Sequence, residues 1–173
     1  MKQPDQRQRA AGRRIAGHAQ EDHILDPYQA RQKPAEGAVC PECGALYWDG
    51  RWQWPVAARN AAQQICPACR RISDKFPAGV VTLRGRLPQP QQDDLVRLVR
   101  HQEEAEKAEH PLNRIIGIDE TAQGLVVTTT DIHLPPRIGE VVRRAFHGAL
   151  DIEFDSDEYF VRVNWTLPSG EAG

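Results

Sequence analysis

No run of 18 or more apolar residues occurs in the 173-residue chain, so nothing in it reads as a membrane-spanning helix. The opening stretch MKQPDQRQRAAGRRIAG is basic but has no hydrophobic segment behind it, which excludes a secretory signal as the reading of this end. Its glutamines and the acids Asp5, Glu21 and Asp22 fit a plain polar tail better than a transit peptide. Cysteine is scarce: the four present are too few for a disulfide scaffold and fall in matched pairs, which points to metal in a reducing, cytoplasmic setting. Lysine is scarce as well, four against 18 arginines, a bias that GC-rich coding explains without selection for nucleic-acid contacts. Walker loop, dinucleotide fingerprint, nucleophile elbow and HExxH helix are all missing, and with them the commonest signatures of nucleotide hydrolysis, hydride transfer, esterase and metalloprotease chemistry.

The net charge of −2 hides a division along the chain. Residues 1 to 36 carry a net +2, residues 37 to 86 a net +4 and residues 87 to 173 a net −8. The same boundaries organise the rest. Residues 1–36, rich in Gln, Arg, Ala and Pro, are expected to be a largely disordered tail, in which only His23 to Tyr28 has the composition to dock. Residues 37–79 hold the cysteines, residues 80–168 alternate helical and strand patterns, and 169–173 form a disordered end.

Cys40-Pro-Glu-Cys43-Gly and Cys66-Pro-Ala-Cys69-Arg are separated by 22 residues. Two residues between cysteines let both sulfurs face one point, and Gly44 suits the positive φ that such a knuckle often needs. Four thiolates complete a tetrahedron with no open position, so Cys40, Cys43, Cys66 and Cys69 are expected to hold one structural Zn²⁺. An iron–sulfur cluster and a metal-gated redox switch use the same four residues and stay open at this point. Catalytic zinc would require a cysteine to leave.

The stretch ALYWDGRWQWP between the pairs places three of the four tryptophans within seven residues around Asp49-Gly50, a strong two-residue hairpin signal. With those two as the turn, Ala45, Tyr47, Trp52 and Trp54 share one face, and Leu46, Trp48, Arg51 and Gln53 the other. A module of this size needs metal and bulky aromatics to hold together, so the first face is expected to be its core. On the second, Trp48 beside Arg51 forms either a surface cation–π contact or a platform for a base. Val56 to Ile65 reads as a short helix that carries Arg59 outward, and Arg70 and Arg71 follow the second pair.

In the remainder, strands are expected at Val80–Gly85, Arg114–Asp119, Leu125–Thr130, Ala149–Phe154 and Tyr159–Trp165. Helices are expected at Asp93–Glu109, with Leu95, Leu98, Val99, Gln102 and Ala105 inward and a Glu103–Lys107 pair outside, and from the Asp131 N-cap to the Gly148 stop. The first six elements follow the βαββαβ order of ferredoxin-like folds, with one extra strand at the end, so the whole reads as an α+β protein: a zinc-ribbon or treble-clef module followed by a ferredoxin-like domain. The acids from Asp151 to Glu158 bracket a turn and read as a solvated hairpin tip, and the six histidines show no ligand spacing.

DPYQARQK, CPECGALYWDGRWQW, CPACRRISDKFPAG, EHPLNRI, TTTDIHL and RIGEVV together resemble a family of small proteobacterial zinc proteins with two CxxC pairs. That family is labelled by likeness to the large-subunit ribosomal export adaptor of archaea and eukaryotes, and the likeness covers mainly the cysteine region. It implies ribosome or RNA association. Two functions of different class follow. One is a non-enzymatic zinc-stabilised protein that contacts RNA or the ribosome through Trp48, Arg51, Arg59, Arg70 and Arg71. The other is a protein-interaction or regulatory adaptor whose acidic C-terminal domain is the working surface. Neither involves a membrane, and an enzyme finds no partnered nucleophile, base or open metal site in the sequence.

Overall fold

A computed structural model describes residues 25–30, 33–55 and 62–170. It is an α+β structure with two hydrophobic clusters, one around the cysteines and one around a mixed five-stranded sheet. No helix among the described residues is long and apolar enough to cross a membrane.

The cysteine module begins with a short helix α1, Pro27–Ala30, and a two-stranded hairpin, β1 (Leu46–Trp48) and β2 (Arg51–Gln53). Its register pairs Leu46 with Gln53, Tyr47 with Trp52 and Trp48 with Arg51, as the Asp-Gly turn requires. Asp49 and Gly50 both have positive φ, 52° and 76°, the signature of a type I′ turn. Glu36 reaches back to the turn, accepting from the Asp49 N–H at 2.9 Å. Ala45, Tyr47 and Trp52 are buried, and Tyr47 meets Trp52 edge to face with centroids 5.5 Å apart. Leu46, expected on the outer face, is buried too, because Val39 bridges to it from the neighbouring chain segment.

Most of the helix expected over Val56–Ile65, with Arg59, lies outside the described residues. Its described end is not helical: Gln63 forms a parallel bridge with Val39, and the Val39 N–H donates to Ala62 O. Helix α2, Pro67–Asp74, follows and closes the module. The described end of the expected tail is folded against it. Asp26 receives the Arg71 guanidinium at 2.7 Å, and the Tyr28 hydroxyl donates to Asp74 at 2.9 Å.

The second unit runs β3 (Gly79–Arg84), α3 (Gln89–Glu109), β4 (Ile115–Thr121), β5 (Gly124–Thr129), α4 (Leu134–Phe146), β6 (Ala149–Phe154) and β7 (Val161–Thr166). The sheet order is β4-β5-β3-β7-β6. The extra strand therefore sits inside the sheet: β7 lies beside β3, parallel to it, and β6 forms the edge. Side-chain character explains the exchange. On β7, Val161, Val163 and Trp165 are buried, whereas Ala149, Asp151 and Glu153 of β6 are exposed. Charged residues on an edge strand discourage pairing with another chain. One sheet face buries Val81, Leu83, Leu125 and Val127 with Leu95 and Val99 of α3 and Ile138 and Val142 of α4. Gly139 allows α4 to lie close, since a Cβ there would come within 2.7 Å of Val163 Cγ1.

The inward stripe of α3 ends in acids. Glu103 and Glu106 are buried, while Ala105 is exposed and Gln102 half-buried. Glu103 accepts from the Ile115 N–H at 2.7 Å, so Lys107 pairs with Glu104 instead, at 3.6 Å. Glu106 binds Arg137 at 2.6 Å.

Candidate metal centre and the seam behind it

The four cysteine sulfurs lie within 4.8 Å of one another. The knuckle at Cys40 is closed by the Gly44 N–H donating to Cys40 O, 2.8 Å, with Gly44 at φ +80°. The second pair opens α2: Cys66 is the N-cap, its sulfur accepting from the Cys69 N–H at 3.4 Å, and Pro67 occupies the first helical turn. A helix N-terminus favours a negative sulfur. Cys40 Sγ also accepts from the Cys66 N–H at 3.3 Å, which ties the two knuckles together.

These residues fit a tetrahedral metal. Four sulfurs at the usual zinc–sulfur distance of about 2.3 Å stand about 3.8 Å apart. Cys43 and Cys66 are 3.8 Å apart, and all four cysteines are free of disulfides. Cys40, Cys66 and Cys69 are buried and Cys43 is half-buried. The thiols do not titrate alike. The hydrogen bond from Cys66 holds Cys43 down to about 5, while donating that bond, with burial, pushes Cys66 up. Burial raises Cys69, against the pull of Arg114. Metal binding must displace the protons of the reluctant thiols, as it commonly does.

Arg114 was not visible as part of the site from sequence. Its Nη2 donates to Cys69 Sγ at 3.0 Å and to Cys66 Sγ at 3.4 Å, across 45 or more residues of chain. Burial works against its charge, but the Cys69 and Cys66 sulfurs outweigh burial and its pKa moves up. The backbone of Arg114 is pinned by Thr130, whose hydroxyl accepts from the Arg114 N–H at 3.0 Å and whose N–H donates to Arg114 O at 2.9 Å. The sheet unit thus delivers a cation to a four-cysteine site whose complex with a divalent metal would carry two negative charges. Two further contacts cross the same seam. The Trp54 indole N–H donates to Lys107 O at 2.6 Å, and Leu112 packs into the cysteine cluster.

The expected partner-contact residues divide. Trp48 is 46% exposed and faces the exposed Arg51 across the hairpin. Arg70 is half-buried on α2 and lines the cleft between module and sheet unit. Arg71 is corrected: it is 1% exposed, and besides Asp26 it donates to Phe76 O at 3.0 Å and lies over the Tyr28 ring at 4.1 Å, so it belongs to the core of the module. Arg59 is outside the described residues. At the expected acidic hairpin tip, Asp155 accepts from the Asp157 and Glu158 N–H groups and from Arg162, bonds that depress its pKa.

Asp131, expected as an N-cap, does serve the start of α4. Its Oδ2 accepts from the His133 N–H at 2.7 Å and the Leu134 N–H at 3.0 Å. Burial raises its pKa to about 7, against those two bonds. Comparisons with family models, with curated proteins and with solved structures find no match to this chain.

Proposed function

We propose that the protein is a non-enzymatic, zinc-stabilised binding protein that contacts single-stranded RNA through the face of its cysteine module. The observation that carries this reading is the pair at the hairpin tip: Trp48, 46% exposed, directly opposite the exposed Arg51, on a hairpin whose other face is buried against the four cysteines. An indole offers a stacking face to any base, and an adjacent guanidinium offers a phosphate contact. Exposed Lys33 and half-buried Arg70 extend the positive character, and neither they nor Arg51 pair with a carboxylate among the described residues. The resemblance of the cysteine region to ribosome-binding zinc modules points the same way. The acids of the C-terminal unit find a role inside the fold, as edge charges on Asp119, Glu120, Asp151 and Glu153, so no separate acidic docking surface is needed to explain them.

The test is fluorescence anisotropy of a labelled single-stranded RNA against zinc-loaded protein over a series of salt concentrations. Binding should weaken steeply with salt and lose about tenfold or more in Trp48→Ala with Arg51→Ala. Binding that ignores both salt and substitution would overturn the reading.

A further inference from the structure

The cysteine module and the sheet unit meet in the chain at Pro77. On the module side, the Phe76 N–H donates to Arg71 O at 3.0 Å, and Phe76 O accepts from the Arg71 guanidinium at 3.0 Å. On the sheet side, the Ala78 N–H donates to Thr129 O at 2.9 Å, and Ala78 O accepts from the Val161 N–H at 3.0 Å. Pro77 stands between these two anchored residues with no backbone N–H to bond, and its ring restricts its own φ and the backbone of Phe76. A joint of this kind lets two packed units move as bodies about a few torsions. It leaves their docking to contacts across the seam.

Those contacts converge on the cysteines. Arg114, one residue before β4, is half-buried and donates to Cys69 Sγ at 3.0 Å and Cys66 Sγ at 3.4 Å. Its buried Nε has no hydrogen-bond partner, and no carboxylate pairs with it, among the described residues. A guanidinium withdrawn from water needs acceptors, and its side chain finds them in these two sulfurs. Trp54, one residue after β2, donates its indole N–H to Lys107 O at 2.6 Å, and Leu112 packs against the cysteine cluster. The module's side of every one of these contacts takes its position from the knuckles and the hairpin.

We propose that the cysteine module is a metal-latched arm, docked on the sheet unit while its four cysteines coordinate the metal and released about Pro77 when they do not. Small metal-held modules commonly lose their fold without metal, and here Arg114, Lys107 and Leu112 would lose their partners with it. Linkage makes the effect reciprocal: whatever coordination contributes to docking, docking contributes to metal affinity. The cleft of about 440 Å³ between the two units, lined by Trp52 and Arg70 from the module and by His110 and Tyr159 from the sheet unit, belongs to the docked state. The latch requires nothing of Trp48 and Arg51 as RNA contacts, so it stands or falls apart from that reading.

The experiment is hydrogen exchange followed by NMR on the full chain, with three reporters. The Trp54 indole N–H reports the seam, the Tyr47 amide, bonded to Ala38 O at 2.8 Å, reports the module's own fold, and the Trp165 indole N–H, bonded to His147 O at 2.5 Å, reports the sheet unit. In Arg114→Met at saturating zinc, Trp54 should exchange about tenfold or more faster, the worth of a hydrogen bond to a charged group, while Tyr47 and Trp165 keep their rates. Removing zinc from the parent chain should free Trp54 and leave Trp165 protected. Trp54→Phe keeps a ring at the seam and touches no sulfur, yet it should lose zinc to a chelator at a free-metal level about threefold or more higher, the worth of a neutral hydrogen bond. Trp54 protection that survives in zinc-loaded Arg114→Met or in the zinc-free parent chain would overturn the inference, as would an unchanged zinc affinity in Trp54→Phe. Faster exchange at Tyr47 together with Trp54 in zinc-loaded Arg114→Met would overturn it too, because Arg114 would then hold the module's fold and not its docking.

Discussion

The guanidinium of Arg114 and the sulfur of Cys69 are 3.0 Å apart, and this contact joins the sheet unit to the cysteine cluster. In a metal complex the charge on Arg114 would offset part of the negative charge of the four thiolates, and its geometry orients the sulfurs of Cys66 and Cys69. Replacing a group that supports metal ligands in this way costs roughly 10- to 100-fold in metal affinity. Arg114→Met should therefore lose zinc to a chromophoric chelator at a free-metal level about 10- to 100-fold higher than the parent chain. An unchanged competition curve would show the contact to be incidental.

Metal removal should act unevenly. The cysteine cluster has a small core of its own, whereas the sheet unit has a separate cluster centred on Val81, Val127, Val163 and Trp165. Small metal-held modules commonly unfold without metal. After chelation, hydrogen exchange should accelerate at Cys40, Gly44 and Tyr47, whose N–H groups bond to Ala45 O, Cys40 O and Ala38 O. The amides of β3, β5 and β7 should keep their protection. Equal loss in both units would mean that the sheet cannot stand without the metal.

Asp131 gives a pH signature. Its pKa rises from 3.8 to about 7 on folding, so between those values the folded chain binds more protons than the unfolded one. Stability from this residue is then greatest below pH 4 and falls as pH rises to about 7, beyond which it is flat. The ceiling is about 4 kcal/mol at roughly 1.4 kcal/mol per unit. Urea denaturation of zinc-loaded protein at pH 5.5, 6.5 and 7.5 should show Asp131→Asn gaining on the parent chain as pH increases. Parallel pH dependence in the two would contradict the assignment.

Arg71 and Asp26 form a buried pair, 1% and 7% exposed at their side chains. Removing one member leaves the other charge buried and unpaired, which costs about 3–5 kcal/mol. Arg71→Met and Asp26→Ala should each destabilise the module by that order in denaturant titrations. The double variant should cost less than the sum, because neither charge is then stranded. Simple additivity would contradict the pairing.

Local patterns in the sequence were enough for the two cysteine knuckles, the Asp49-Gly50 turn and the hairpin register, because each depends on residues a few positions apart. The strands of the sheet unit were legible from β-branched runs for the same reason. Their order was not: the choice of β7 over β6 as the neighbour of β3 rests on which strand buries Val161, Val163 and Trp165 beneath α4. Long-range charge pairing was the least visible. Arg71 looked like a surface cation until Asp26 met it from 45 residues away. Glu103 looked like an outward partner for Lys107 until the Ile115 N–H claimed it. Arg114 carries no spacing signal at all, since its place beside Cys66 and Cys69 is set by Thr130 and the packing of two units.

Zinc K-edge absorption spectroscopy on the purified full chain, with metal content measured on the same sample, tests the four-thiolate centre most directly. One zinc per chain with four sulfurs at about 2.3 Å and no nitrogen or oxygen ligand is the expected result. A first shell that contains oxygen or nitrogen, or a substoichiometric metal with oxidised cysteines, would contradict a closed structural site at Cys40, Cys43, Cys66 and Cys69.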